Sequence, residues 1–124
     1  ATSIMLANPD VVAALSTTGG GPTTWAGAQK ETGRKIIAVG MDYTRVNLDL
    51  VKSGQVWGAV AQPLFTECLG SAKLLMDMAN GAPAAYWTKL EAPLITKENV
   101  DEYYGMLDRL EPKYGDNLNK NPDS

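Results

Sequence analysis

Between residues 10 and 81 the chain repeats one grammar three times: a short apolar run, a polar or glycine-rich break, then a longer segment with helix start and stop signals. The runs at 10–17, 35–40 and 55–61 are too short and too continuously apolar for amphipathic helices, and they suit strands buried on both faces. The segments between them follow helix rules. Residues 22–32 open with Pro22 and close at Gly33, residues 44–53 have Thr44 as N-cap and Gly54 as stop, and residues 63–80 end at Gly81. Strand-helix units in series imply a parallel sheet with right-handed crossovers, so the expected fold is α/β, a parallel-sheet three-layer sandwich.

The third helix carries Leu64, Phe65, Cys68, Leu69, Leu75 and Met76 at helical spacing, a broad apolar stripe that must pack against something. Cys68 on that stripe reads as a buried, inert thiol. Residues 82–85 form a connector, 86–90 a candidate strand, and Thr96 an N-cap for a short helix through Tyr104. From Lys113 the sequence is polar, and 113–124 is expected to be a flexible tail. The opening residues 1–7 read as the tail of a helix stopped by Asn8-Pro9, and no basic-then-apolar leader stands at Ala1, so the chain is expected to be a fragment.

Several functional classes are disfavoured by what the chain lacks. It has no histidine, which removes the most frequent general base and metal ligand, and its single cysteine allows no internal disulfide. Eleven basic against fourteen acidic residues give a net charge of −3, with no basic and aromatic interleaving to follow a phosphate backbone, so no nucleic acid is expected as a partner. The longest apolar runs are strand-sized, far below the roughly 18 to 20 residues needed to cross a bilayer. No metal, cofactor or catalytic residue is expected, and the chain is read as a non-enzyme.

In an open parallel sheet, ligands bind beyond the carboxyl ends of the strands. Thr17-Thr18-Gly19, Met41-Asp42-Tyr43 and Gln62-Pro63 occupy those positions. Hydroxyl, carboxylate and amide together supply the donors and acceptors that hold a polyhydroxylated molecule. Each also has a structural role open to it. Asp42 suits an N-cap as well as a ligand contact, Gln62 suits backbone satisfaction at a crossover, and Thr18 suits a turn cap. Gly19-Gly20-Gly21-Pro22 resembles a phosphate cradle but lacks the Lys-Ser/Thr pair of a phosphate-binding loop, so close approach of a ligand to bare backbone is the better use of Gly19. Trp25 and Tyr43 offer ring faces to a sugar, with core packing the alternative for Trp25, while Trp57 and Trp87 read as packing residues.

Four stretches then carry a resemblance: Asn8-Pro9-Asp10-Val11-Val12-Ala13-Ala14, Lys35-Ile36-Ile37-Ala38-Val39-Gly40-Met41-Asp42, Gly54-Gln55-Val56-Trp57-Gly58-Ala59-Val60-Ala61-Gln62-Pro63, and Pro93-Leu94-Ile95-Thr96-Lys97-Glu98-Asn99-Val100-Asp101-Glu102-Tyr103. In that order, over about residues 1 to 105, they resemble the C-terminal half of type I periplasmic sugar-binding proteins, the ribose-binding-protein-like components of ABC transporters. The resemblance implies a partial C-terminal lobe of a two-lobed fold: β-α units over 1–62, a helix and connector over 63–85 that pack in the N-terminal lobe, and a hinge-crossing strand and terminal helix over 86–112. It also implies that Asp42 and Gln62 contact the sugar. Thr18 corresponds roughly to a polar residue, commonly Asn, and here three glycines replace the usual Asn-Asp-like pair and lengthen the loop.

The function implied is delivery of a sugar or polyol to a membrane permease from the periplasm, by two lobes closing on the ligand. A lone piece of 124 residues is then expected to bind weakly or not at all. Two alternatives share the pattern: the effector-binding domain of a lactose-repressor-type regulator, and a doubly wound nucleotide- or phosphate-handling enzyme. The second is disfavoured by the missing histidine, phosphate-loop lysine and acid/base carboxylate pair.

Overall fold

The computed structural model describes residues 1–118, with side chains through Arg109. In chain order the elements are α1 (Thr2–Ala7), β1 (Ala13–Leu15), α2 (Gly21–Thr32), β2 (Ile37–Met41), α3 (Arg45–Ser53), β3 (Gly58–Val60), α4 (Leu64–Ala79), β4 (Leu94–Ile95) and α5 (Val100–Leu118). The four strands form one sheet in the order β1-β2-β3-β4, with β1, β2 and β3 parallel and β4 antiparallel on the edge of β3.

Local chemistry explains the helix ends. Pro22 sits in the first turn of α2, where its missing N–H costs nothing, and Gly33 at φ 66 supplies the left-handed stop. The Thr44 hydroxyl accepts a hydrogen bond from the Asn47 backbone N–H at 3.3 Å and so caps α3, which Gly54 at φ 76 terminates.

The register puts small residues on the covered face of the parallel strands, Ala14 opposite Ala38 and Gly40 opposite Ala59, with Ile95 of the edge strand beside Ala59. Bulk comes from the helices. Leu48 and Val51 of α3 and Val100 of α5 pack against Ala38, Ala59, Ala61 and Ile95, while Met5 of α1 and Ala28 of α2 meet Ile36. Burying each of the larger aliphatic side chains contributes roughly 1.5–3 kcal/mol. The terminal helix is held on α3 by polar contacts around this core: Lys52 to Asp101 at 2.6 Å, Arg45 to Asp108 at 2.7 Å, and Tyr104 to Asp49. Burial and the Asp49 hydrogen bond push the Tyr104 hydroxyl up to about 12.

The opposite face of the sheet is bare. Leu15 is 69% and Ile37 53% exposed, so among the described residues these strands are covered on one face and not on both. α4 is barer still: none of its residues is buried, and Phe65, Leu69 and Met76 of its apolar face are more than half exposed. Cys68 is accordingly exposed, a correction to the buried-thiol expectation, because the helix that carries it has no buried residue and no extensive packing against another described element. Trp57 and Trp87 are exposed too, where packing roles are expected from the sequence.

Two further differences concern the end of the chain. Residues 86–90 form no strand; the edge of β3 is taken by Leu94–Ile95, with the Ala61 N–H donating to the Pro93 carbonyl at 2.8 Å. Thr96 opens a turn instead of capping a helix: its N–H donates to Asn99 Oδ1 at 2.8 Å, and α5 starts at Val100. α5 continues to Leu118, past Tyr104 and past Lys113; residues 119–124 of the expected tail lie outside the described residues.

Arg34 fastens α1 to the sheet. Its guanidinium donates to the carbonyls of Met5, of Asn8 at 3.3 Å, of Pro9 at 2.8 Å and of Val11 at 2.9 Å, satisfying oxygens at the end of α1 and in the loop before β1. Charge-assisted bonds to a planar fork are not reproduced by an ammonium. Arg34→Ala is expected to cost about 2 kcal/mol in urea denaturation, with Arg34→Lys recovering less than half of it. Equal stability of wild type and Arg34→Ala would count against this role.

Candidate functional site

Because β1, β2 and β3 run parallel, their carboxyl ends bring Ser16 to Gly19, Met41 to Tyr43 and Ala61 to Gln62 to one edge of the sheet. The junctions are tight. Ser16 N–H donates to the Val39 carbonyl at 2.9 Å, and Asp42 N–H to the Val60 carbonyl at 2.9 Å.

Asp42 is half-buried and stands at φ 69, unique among the described non-glycine residues in having a positive φ. Thr44 caps α3, so the capping role open to Asp42 in the sequence is filled by another residue. The Asp42 carboxylate lies against the backbone of Gly19, where a Cβ would come within 2.2 Å of Oδ2. Glycine is required there to let the two loops touch. Among the described residues the carboxylate has no hydrogen-bonding partner and stays open to solvent.

Thr18 is exposed; its carbonyl accepts from the Gly21 N–H at 3.0 Å, and its hydroxyl lies 3.4 Å from that of Ser16. Gln62 is half-buried, and its Nε2 donates to Glu67 Oε2 at 3.2 Å. With Met41, Pro63, Trp87 and Leu90 it lines a pocket of about 360 Å³. The structure thus joins Thr18, Gly19 and Asp42 in one loop cluster and sets Gln62 at the neighbouring strand end.

Two expected residues also take part in core packing. Trp25 lies within α2, half-buried, and packs against both apolar clusters. Tyr43, at the end of β2, packs against the larger cluster, its ring tilted 50° to that of Tyr103 with centroids 5.9 Å apart. The sequence pattern missed Asn47. It is 1% exposed, and its Nδ2 donates to the carbonyls of Gly19 at 3.0 Å, Met41 at 3.0 Å and Asp42 at 3.2 Å. The signal available was an asparagine, a poor helix former, one turn into a helix beside Leu48 and Val51.

A larger cavity, about 680 Å³, opens at the other end of the strands, walled by Val12, Ile37, Val56 and Trp57 among others. Its lining combines exposed apolar residues with the charged Arg34, Lys35, Lys97 and Glu98, whereas the carboxyl end gathers a carboxylate, hydroxyls and an amide where ligands of open parallel sheets bind. Among the described residues no group of acidic or cysteine side chains could hold a metal, and no helix is long and apolar enough to cross a membrane.

No protein-family model and no curated protein matches the sequence. Solved structures do. One is an ABC transporter periplasmic solute-binding protein from Actinobacillus succinogenes 130z with bound D-allose, similar at TM-score 0.74 and 17% identity over 82% of this chain and 36% of that one. An arabinose-binding protein from Geobacillus stearothermophilus gives TM-score 0.71 and 23% identity over 83% of this chain and 39% of that one. A putative LacI transcriptional regulator from Bacteroides fragilis gives 0.68 and 22% over 82% and 35%. This chain therefore has the fold of a partial lobe of the two-lobed periplasmic-binding-protein-like architecture, and it spans less than half the length of these neighbours. The neighbours are sugar-binding transport proteins and a regulator, not enzymes.

Proposed function

We propose that this chain is the C-terminal part of the solute-binding component of an ABC-type importer, and that it takes a sugar or a related polyol between two lobes in the periplasm. The observation that carries this reading is the Asp42 carboxylate, unpaired and solvent-facing at the carboxyl end of β2, one strand from Gln62. A carboxylate accepts from two hydroxyls at once, and an amide both donates and accepts, which suits vicinal hydroxyl groups. Neighbours holding D-allose and myo-inositol support a polyhydroxylated ligand.

Residues 1–62 belong to the C-terminal lobe in this reading. Residues 63–85 lie on the N-terminal lobe, which accounts for a 16-residue helix without a buried side chain, and 86–112 lead back. Closure of the lobes about that hinge forms the state that a membrane permease recognises.

Calorimetry on the complete polypeptide with D-allose, D-arabinose and myo-inositol tests the proposal. Micromolar binding of at least one is expected, with no such binding by the 124-residue chain alone. Failure of all three on the complete polypeptide, or equal affinity in the isolated chain, counts against it. The regulator among the neighbours supports a second reading, an effector-binding domain with the same cleft. A helix-turn-helix ahead of this segment in the complete polypeptide, with effector-dependent binding to duplex DNA, would favour it.

A further inference from the structure

We infer that Asn47 is the positioning residue of the candidate site: its buried amide fixes the Gly19 loop to the Asp42 loop and holds Asp42 in the left-handed conformation that presents its carboxylate. The inference rests on Asp42 being a ligand contact, as proposed above.

Asp42 pays a steric penalty at φ 69 that glycine would not, so something must hold it there. Asn47 is placed to do so. The Thr44 hydroxyl anchors the Asn47 backbone N–H, and the two hydrogens on Nδ2 are shared among three carbonyls, two of them on either side of the Asp42 nitrogen and α-carbon and the third at Gly19. The side chain is 1% exposed, so water does not readily replace it. With Gly19 drawn in, the Asp42 carboxylate rests against bare backbone and has little room to swing toward β1. Leucine at 47 would match the volume but leave the carbonyls without a donor, and aspartate would set an oxygen against them. Asn47 touches no ligand in this account; it acts through Asp42.

The test uses the complete polypeptide in two arms. In the first, without ligand, Asn47→Leu is expected to lower the melting temperature by about 2–4 °C. In an Asp42→Gly background the same substitution should lower it by less than half as much, since glycine needs no help to hold a positive φ. Equal losses in the two backgrounds would overturn the inference. In the second arm, D-allose, D-arabinose and myo-inositol are titrated well below the melting temperature. Asn47→Leu is expected to weaken whichever of them binds by about tenfold. Unchanged affinity with a lowered melting temperature would show a merely structural residue and overturn it. If wild type binds none of the three, the proposed function fails and the ligand-positioning role fails with it, while the melting comparison still reports whether Asn47 holds Asp42.

Discussion

Asp42→Gly in the complete polypeptide is expected to weaken sugar binding at least about a hundredfold while leaving the fold intact. Hydrogen bonds from hydroxyls to a carboxylate are worth about 1.5–3 kcal/mol each, and two such bonds correspond to more than two orders of magnitude in affinity. The choice of replacement matters because Asp42 stands at φ 69. Glycine holds that backbone without strain and removes the carboxylate, whereas alanine keeps the left-handed penalty of about 1–2 kcal/mol without the polar side chain that helps aspartate bear it, and so mixes two effects. Asp42→Asn separates charge from shape: it keeps the side-chain outline and should lose less than glycine does. Gln62→Ala is expected to cost only about tenfold, since a neutral amide gives weaker bonds and this one already donates to Glu67. Titration calorimetry decides: wild-type affinity in Asp42→Gly would remove Asp42 from the site.

What could be read from the residues was whatever is decided within a few positions. Gly33, Gly54 and Gly81 all adopt positive φ at helix ends, a property of the residue itself, and Thr44 caps α3 through a bond spanning three positions. The order of three parallel units and the gathering of Asp42 and Gln62 at one edge follow from the same local signals plus chain connectivity. Pairing was harder. Residues 86–90 and 94–95 have similar strand character, and only the register with Ala59 and Val60 selects the second. Asn47 was hidden for the same reason: two of its three acceptors sit five and six positions away, and the third lies 28 positions away across a loop.

The apolar stripe on α4 was legible, and its exposure follows from what surrounds it. Periodicity says that a helix has a face to bury but not where the covering surface comes from. Cys68 illustrates the point, since a residue on a core-like stripe is exposed when the described elements leave that whole helix without a buried residue. Trp25 shows the reverse. A ring following a glycine turn could face a ligand or the core, and Trp25 packs against two clusters that contain the small residues Ala26, Ala28 and Ala38.

Those small residues lead to a second large effect, in which one substitution type acts with opposite signs at two positions. A Cβ on Gly40 would come within 2.4 Å of Pro22 Cγ, 2.5 Å of its Cδ and 3.1 Å of its N, all atoms of a rigid ring in the first turn of α2. Neither side can yield by changing rotamer, so Gly40→Ala must lift the start of α2 off the sheet. Overpacking of this kind costs about 3 kcal/mol. Lifting α2 would also shift Gly19 and Gly20, which lead into it, and with them the backbone against which Asp42 rests. Gly27 lies inside the same helix with nothing within 4 Å of an added Cβ. There alanine removes only backbone freedom from the unfolded chain, and Gly27→Ala is expected to gain about 0.5–1 kcal/mol. Urea denaturation of both variants reads the difference directly: a Gly40→Ala protein as stable as Gly27→Ala would mean that α2 does not sit down on β2 as closely as these contacts require.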